Sequence, residues 1–410
     1  MDYIKRAVED IVIKTDQTFK CVLVTGARQT GKTEMIKKLF PGKKYVPLDD
    51  PFIEDQANND PNMFMTLNRP PVTYDEVQRT PGLFRQIKLA CDSTKEKGLF
   101  CLSGSQPLEL MERASESLSG RVGIVELSPL SLREIHRDSF RLPFLPTMEY
   151  IEQRSVTAAA PDNIWEEIHR GGYPGLQDRD VDWGTFFSSY VKTYLERDVR
   201  KLTAVHNLND FRRFLIAVAA RTGQMVNYSS IADETGKDQT TIRAWLSILE
   251  ATGIVYLLEP YTPAVLKKAI KTPKLYMRDT GLASYLTRWL TPETLANGAM
   301  SGAMWETFVI SEILKSYANR GIDYRYQVSY YRGRNRSRSE GEIDLIIEEN
   351  GILYPIEIKK GTSVTADEAS AFQVLDKVPE KKRGPGAIIC SCPQPGSLRE
   401  NLFQIPAWYI

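Results

Sequence analysis

The sequence is poor in cysteine, has no long apolar run and carries no excess of either charge. Its five cysteines, Cys21, Cys91, Cys101, Cys390 and Cys392, are an odd number scattered over 410 residues, which excludes the dense framework of a disulfide-stapled secreted domain. Cys390 and Cys392 could share a metal, but no cysteine or histidine cluster completes a four-ligand set, so inert thiols are expected. Nowhere do about 18 apolar residues run uninterrupted, and the first ten residues are charged where a secretory leader needs an apolar centre. The expectation is a cytoplasmic protein with no membrane partner. With 53 Lys and Arg against 52 Asp and Glu, a formal +1, a chain coated in positive charge is excluded, although a local basic patch is not. What is present is ordinary globular composition, 42% hydrophobic and 26% charged, which excludes collagen-like, coiled-coil and low-complexity classes. At roughly 100–200 residues per domain, two to four domains are expected.

Residues 20–25, Lys-Cys-Val-Leu-Val-Thr, read as a short buried strand, and Gly26-Ala27-Arg28-Gln29-Thr30-Gly31-Lys32-Thr33 follows in the pattern G-x-x-x-x-G-K-[ST]. An amphipathic helix comes next, with Met35, Ile36 and Leu39 on one side. Strand, glycine loop and helix in that order supply the context a phosphate cradle needs. Backbone N–H groups curl round the anion, and the helix N-terminus adds its positive dipole end. ATP is the expected ligand, held by Gly26 to Thr33 with Glu34 beside them, Lys32 reaching the β and γ phosphates and the Thr33 hydroxyl on Mg²⁺. A second acidic strand end is supplied by Val72-Thr73-Tyr74-Asp75-Glu76. Asp75 is expected on Mg²⁺ and Glu76 on the attacking water, as orienting or deprotonating group. Leu99 to Ser103 is another buried-strand run, and Ser103, Ser105 and Gln106 at its end are candidates to sense the γ-phosphate. Of the nearby guanidinium groups, Arg28, Arg79 and Arg121, the favoured one for transition-state charge is Arg121, acting in cis or from a neighbouring subunit of a homo-oligomer.

These runs, together with Tyr74 to Arg79, Leu102 to Gln106, Ser117 to Val122 and Leu127 to Ser131, resemble the AAA-type ATPase module of a large prokaryotic family of ATP-binding proteins related to the archaeal-type STAND NTPases. The resemblance continues through Gly171-Gly172-Tyr173-Pro174 and Tyr194 to Val199, so it covers most of the chain. It implies an ATPase followed by a domain of unknown function.

Beyond a proline-containing connecting segment, Asp210 to Ala220 reads as an apolar helix. A short helix from Asn227 to Glu234, a Thr235-Gly236 turn and a helix from Gln239 to Leu249 have the spacing of a helix-turn-helix. Ile242, Trp245, Leu246 and Leu249 fall at i, i+3, i+4 and i+7 and should face inward, leaving Gln239, Thr240, Arg243 and Ser247 outward. Gly253 to Leu258 then looks like a wing strand. Such a winged helix can read DNA through Arg243 or serve as a lever on the ATPase. A single arginine on the exposed face favours the lever, because phosphate contact wants several cations.

Near the C-terminus, two β-rich runs flank Asn350-Gly351, the strongest two-residue hairpin signal. With that turn formed, Asp344 stands opposite Glu357 and Glu342 opposite Lys359, all on one face. Opposed carboxylates repel unless a cation sits between them. Asp344 followed by Glu357-Ile358-Lys359 resembles the D…ExK core of PD-(D/E)xK nucleases, which implies that Asp344 and Glu357 hold Mg²⁺ while Lys359 helps position or activate the attacking water, Glu357 and Lys359 being the catalytic candidates. Glu306, on a helix spanning Trp305 to Leu314, is the candidate for a further metal ligand. Pro355 argues for an edge strand or a bulge. Arg332, Arg334, Arg336 and Arg338, next to Tyr330 and Tyr331, form a basic loop suited to clamp and stack on nucleic acid, with DNA the expected partner. Cleavage by this domain, or mere binding of DNA or a protein, both stay open.

The expected architecture is α/β. A P-loop AAA-like parallel-sheet ATPase domain spans 1–140, a helical connecting segment 141–205, a winged helix 206–295 and an α/β restriction-endonuclease-like domain 296–410.

Overall fold

The computed structural model describes residues 2–105, 116–195, 208–263, 271–333 and 341–410. Its first part alternates α1 (Glu9–Thr18), β1 (Cys21–Thr25), α2 (Lys32–Leu39), β2 (Lys44–Pro47), α3 (Pro51–Asn59), α4 (Pro61–Leu67), β3 (Val72–Asp75), α5 (Gly82–Asp92), β4 (Phe100–Ser103) and β5 (Val122–Glu126). The Asp50-Pro51 and Asp60-Pro61 pairs start α3 and α4 by one device. The aspartate accepts from the next free N–H groups, and proline takes the first helical position, where no N–H is needed.

All strand pairs in this sheet are parallel, in the order β2-β3-β4-β1-β5. Every residue of β1 is buried, as a strand covered on both faces requires. Alternation sends Cys21 and Leu23 into one core with Tyr74, Ile87 and Phe100, and Val22 and Val24 into another with Val8, Val12, Met35 and Ile36. Because β4 lies between β1 and β3, its terminal Ser103 stands between the glycine loop and Asp75.

The connecting part holds α6 (Leu132–Ile135), α7 (Met148–Ser155), α8 (Ile164–Arg170) and α9 (Trp183–Tyr190). Next come α10 (Leu208–Ala219), β6 (Gln224–Met225), α11 (Tyr228–Thr235), α12 (Gln239–Ala251), β7 (Val255–Leu258) and β8 (Lys274–Met277), the strands forming an antiparallel sheet in the order β6-β8-β7. Asn227 caps α11 and Asp238 caps α12. Ile242, Trp245, Leu246 and Leu249 are buried, and Gln239, Thr240, Arg243 and Ser247 are exposed.

The remainder runs α13 (Thr280–Leu286), α14 (Pro292–Asn297), α15 (Ser301–Ala318), β9 (Val328–Arg332), β10 (Glu342–Glu349), β11 (Ile352–Ile358), a 3-10 stretch Ala366–Lys377, β12 (Lys382–Arg383), β13 (Gly386–Cys390), β14 (Gly396–Arg399) and β15 (Leu402–Pro406). The mixed sheet has the order β14-β15-β13-β11-β10-β9, with β12 beside β11. One face shares a continuous core with α15 and the connecting helices, and the 3-10 stretch covers the other.

The hairpin has the expected register, from Glu349 opposite Ile352 to Leu345 opposite Ile356. Asn350 and Gly351 both take positive φ, 52° and 77°, as a twist-matched two-residue turn demands. Beyond Leu345 the ladder stops, and the Asp344 carboxylate accepts the Ile358 N–H at 2.9 Å in place of a strand partner. The edge assignment from Pro355 is corrected: β11 is interior, flanked by β10 and β13. The proline is accommodated because it falls in the gap between β12, which pairs at Ile352 and Leu353, and β13, which pairs from Ile356 onward.

Trp245 stacks edge-on against Phe211 at 5.4 Å and Phe214 at 5.3 Å. Trp245→Ala should therefore lower stability by about 3–5 kcal/mol, read as a shift in the urea midpoint at constant slope.

Candidate nucleotide site and acid cluster

The glycine loop joins β1 to α2 against the end of β5. Leu127 N–H donates to Thr25 O at 2.8 Å, and Gly26, at φ 135°, lies so close that a Cβ there would sit 2.2 Å from Leu127 O. No other residue type fits that approach. Lys32 is buried and donates to Gly26 O at 3.0 Å and Ala27 O at 2.8 Å, while Thr30 Oγ1 donates to Ala27 O at 2.8 Å. Glu34 is exposed in the first turn of α2, Arg28 is half-buried and Gln29 is exposed.

Three hydroxyls converge on the buried Asp75. Thr33 Oγ1 donates to Oδ2 at 2.8 Å, Tyr45 OH donates to the same oxygen at 2.6 Å, and Ser103 Oγ donates to Oδ1. The Thr33 hydroxyl and the Asp75 carboxylate are hard oxygen donors in contact, a set that fits Mg²⁺. Tyr45, on β2, has no motif to announce it, and burial together with Asp75 pushes its phenol well up. Glu76 takes the left-handed conformation, φ 57°, and its Oε2 accepts from Ser105 Oγ at 3.0 Å and from Gln78 Nε2. A glutamate in that region is strained, as residues held at working sites often are. Gln106 lies outside the described residues.

Arg121 is placed elsewhere. Its carbonyl accepts from Cys21 N–H, its side chain pairs with Asp92 at 2.5 Å, and it sits at the N-terminal end of the sheet. The glycine loop leaves the opposite end of β1, five residues and roughly 15 Å away. The cis role is corrected on that ground, since parallel strands send their C-terminal ends to the phosphates.

Arg6, unmarked by any motif, braces the loop from behind. Its guanidinium donates to Thr30 O at 2.8 Å, Ser128 O at 2.7 Å and Glu134 Oε1 at 3.0 Å. The middle of the chain also reaches the loop. A Cβ on Gly31 would lie 3.6 Å from Pro174 Cγ, and one on Gly253 would lie 3.9 Å from Ala27 Cβ. Leu130 N–H donates to Gly172 O at 2.7 Å, and Gly172 N–H to Asp279 Oδ2 at 2.7 Å. Arg278, just past β8, pairs with Glu126 at the end of β5 and donates to Tyr324 OH.

The second cluster lies where β8, α15 and the hairpin meet. Lys274 Nζ, on a residue only 3% exposed, pairs with Glu306 at 3.0 Å, with Glu342, and with Asp344 at 3.6 Å. Tyr276 OH donates to Glu306 Oε1 at 2.5 Å, and Lys359 pairs with Glu357. Burial and Asp344 push Glu306 up to about 7, against the pull of Lys274 and Tyr276, and push Glu357 up to about 8, against Lys359. The structure thus brings Glu306, Asp344, Glu357 and Lys359 together. The expected role of Glu306, Asp344 and Glu357 as resident metal ligands does not fit this conformation, because the Lys274 ammonium stands among the acids, and among the described residues no three His, Cys, Asp or Glu gather as metal ligands.

Of the nucleic-acid candidates, Arg332 pairs with Glu342 at 3.3 Å, and Arg243 lies 3.8 Å from the centroid of the Tyr228 ring. Arg334, Arg336 and Arg338 lie outside the described residues. Tyr330 and Tyr331 are corrected as stacking platforms: they are 0% and 3% exposed, with Tyr330 OH donating to Thr272 O.

Three family models match successive stretches of the chain. Residues 18–136 match an AAA domain. Residues 161–293 match a domain of unknown function, DUF8612, and residues 301–410 another, DUF4143. Uncharacterized proteins of Mycobacterium tuberculosis and Mycobacterium bovis are each 28% identical over 358 residues, 87% of this chain and 74% of theirs. Among solved structures, a Walker-type ATPase of Pyrococcus abyssi aligns with TM-score 0.44 and 16% identity over 70% of this chain and 96% of its own. The AMPPCP-bound DnaA of Aquifex aeolicus aligns with TM-score 0.28 and 14% identity over 59% and 85%. Among the described residues, no helix is long and apolar enough to cross a membrane.

The brace behind the loop has a pH signature. Burial pushes the Glu134 carboxyl up, but Arg6 and the Ser131 and Ala7 N–H groups outweigh it and hold it below its ordinary 4.5. A depressed carboxyl stabilises fully above its unfolded value and loses that contribution as pH falls through the folded one. Glu134→Gln should therefore flatten the acid limb of the thermal-midpoint profile below about pH 4.5, read by calorimetry.

Proposed function

We propose that this protein is an Mg²⁺-dependent ATP-hydrolysing switch whose AAA-type domain controls a nucleic-acid-binding, nuclease-like C-terminal part through a winged-helix lever. The observation that carries the ATPase reading is the convergence of Thr33, Ser103 and Tyr45 on Asp75, with Glu76 at the next position. Lys32 now spends its protons on two carbonyls of its own loop. With ATP in the loop, those protons would turn to the β and γ phosphates, where the charge is larger. Mg²⁺, held by Thr33 and Asp75, would supply charge neutralisation at the phosphates. Glu76 would position and deprotonate water, with Ser105 and Gln78 fixing its carboxylate.

Three helices with the β6-β8-β7 sheet support the winged-helix reading, and the contacts of Gly253 and Arg278 with the ATPase favour lever over DNA reader. An interior hairpin bearing Asp344, Glu357 and Lys359 supports the nuclease-like reading of the C-terminal sheet. With Lys274 inside the acids, this conformation favours binding over cleavage. Arg121, reaching from a second copy, would support a homo-oligomer.

Lys32→Ala should abolish ATP hydrolysis, and Glu76→Gln should slow it about 10²–10⁴-fold while leaving ATP binding intact. Hydrolysis at the wild-type rate in both variants would refute the assignment. For the nucleic-acid reading, replacing Arg332, Arg334, Arg336 and Arg338 by alanine should weaken DNA binding and reduce the salt slope in fluorescence anisotropy. Unchanged affinity and slope would remove this loop from the interface.

A further inference from the structure

Four carboxylates, Glu306, Glu342, Asp344 and Glu357, face the junction of β8 with the hairpin, and Lys274 comes to them from outside the nuclease-like sheet. One ammonium carries one charge and three donors. It contacts Glu306 and Glu342 closely and stands 3.6 Å from Asp344 as an ion pair. Lys359 pairs with Glu357 Oε1, but Glu357 Oε2 is buried and, among the described residues, has no hydrogen-bond partner, on a residue 7% exposed. An orphaned carboxylate oxygen in such a place costs free energy. With Lys359 on Glu357 and Arg332 on Glu342, three monovalent cations among the described residues meet four carboxylates, one charge short and none of them divalent.

The strand that carries Lys274 also touches the nucleotide domain. β8 is the middle strand of its sheet, paired with β7 along its whole length and with β6 at Lys274 and Leu275. All four of its residues are buried. At about 3.4 Å per residue, it is a rod of roughly 14 Å. One end puts Lys274 among the acids. Immediately past the other end, Arg278 holds Glu126 and Asp279 holds Gly172, while Gly253, beside Arg278, approaches Ala27 of the glycine loop. A ligand that displaces the loop pushes on this end.

We propose that Lys274 is a built-in cation that closes the acid cluster to divalent metal, and that the nucleotide state of the loop withdraws it by moving β8. The inference rests on the ATP-switch reading for its trigger, but not for the plug itself. With Lys274 withdrawn, Glu306, Asp344 and Glu357 gain room for a divalent ion, whose double charge also satisfies the orphaned Glu357 oxygen.

The test is Mn²⁺ binding to the full chain, read by electron paramagnetic resonance of free Mn²⁺, with no nuclease assay needed. Without nucleotide, Lys274→Met should take up one more Mn²⁺ per chain than wild type, at least about tenfold more tightly, and adding Asp344→Asn should abolish the gain. Equal uptake by wild type and Lys274→Met, or no gain in a folded Lys274→Met protein, overturns the plug. Should Lys274→Met fail to fold, the otherwise unaltered cluster is read in Glu76→Gln with ATP. An Mn²⁺ beyond the one at the nucleotide, lost on adding Asp344→Asn, supports withdrawal. A single Mn²⁺ in both proteins, with ATP demonstrably bound, overturns it. Absence of bound ATP would instead count against the switch reading, so the two failures are distinguishable.

Discussion

The guanidinium of Arg278 reaches Glu126 of the parallel sheet and the Tyr324 hydroxyl of the C-terminal part at once, and so ties three parts of the chain together. Arg278 is half-buried, and a partly desolvated charge at a junction gains from a partner, because removing that partner leaves the desolvation uncompensated. The chain repeats this device at other seams. Glu312 of α15 accepts the Leu132 N–H at 2.8 Å while Lys315 donates to Leu130 O at 3.0 Å. Arg133 and Arg154 likewise donate to the carbonyls of Ile410 and Tyr409. Polar bonds of this kind fix geometry more sharply than apolar packing, which tolerates sliding. A seam built from them has a small number of well-defined arrangements, which is what a switch requires.

What was legible in the sequence is what local physics decides. The glycine loop is read because eight consecutive residues carry its geometry, and the hairpin register because Asn350-Gly351 dictates it and period-two alternation then propagates it. The burial of Trp245 and its helical neighbours follows from spacing alone. Residues that act across long sequence distances leave no such mark. Arg6 reaches Glu134, Tyr45 reaches Asp75 and Lys274 reaches Asp344, and nothing in the spacing of any of these pairs points from one to the other. Arg121 shows the converse error. Its Ser-Gly-Arg setting precedes a strand, and a residue before a parallel strand lies at the end remote from the phosphates. Tyr330 and Tyr331 have the basic neighbours of a stacking surface, but β9 alternates them into the two cores on either side of the sheet.

The opposed carboxylates of the hairpin are the case where sequence reasoning identified the problem and the structure supplied a different solution. Asp344 and Glu357 repel and need a cation, as their positions required. Glu357 pairs with Lys359, and the cation beside Asp344 is an ammonium delivered by a strand seventy residues upstream. A tethered lysine differs from a free ion in one respect that matters for control. Its effective concentration is set by the position of its strand and not by the solution. A site held by Mg²⁺ alone would fill at whatever concentration the ion reaches, whatever the state of the ATPase domain. A site held by Lys274 is open only when β8 is elsewhere, and β8 is bound by Arg278 and Asp279 to the elements that flank the glycine loop. The shortness of β8 helps this coupling. Four buried residues paired with β7 throughout, and with β6 at Lys274 and Leu275, bend little, so a displacement at one end is carried to the other.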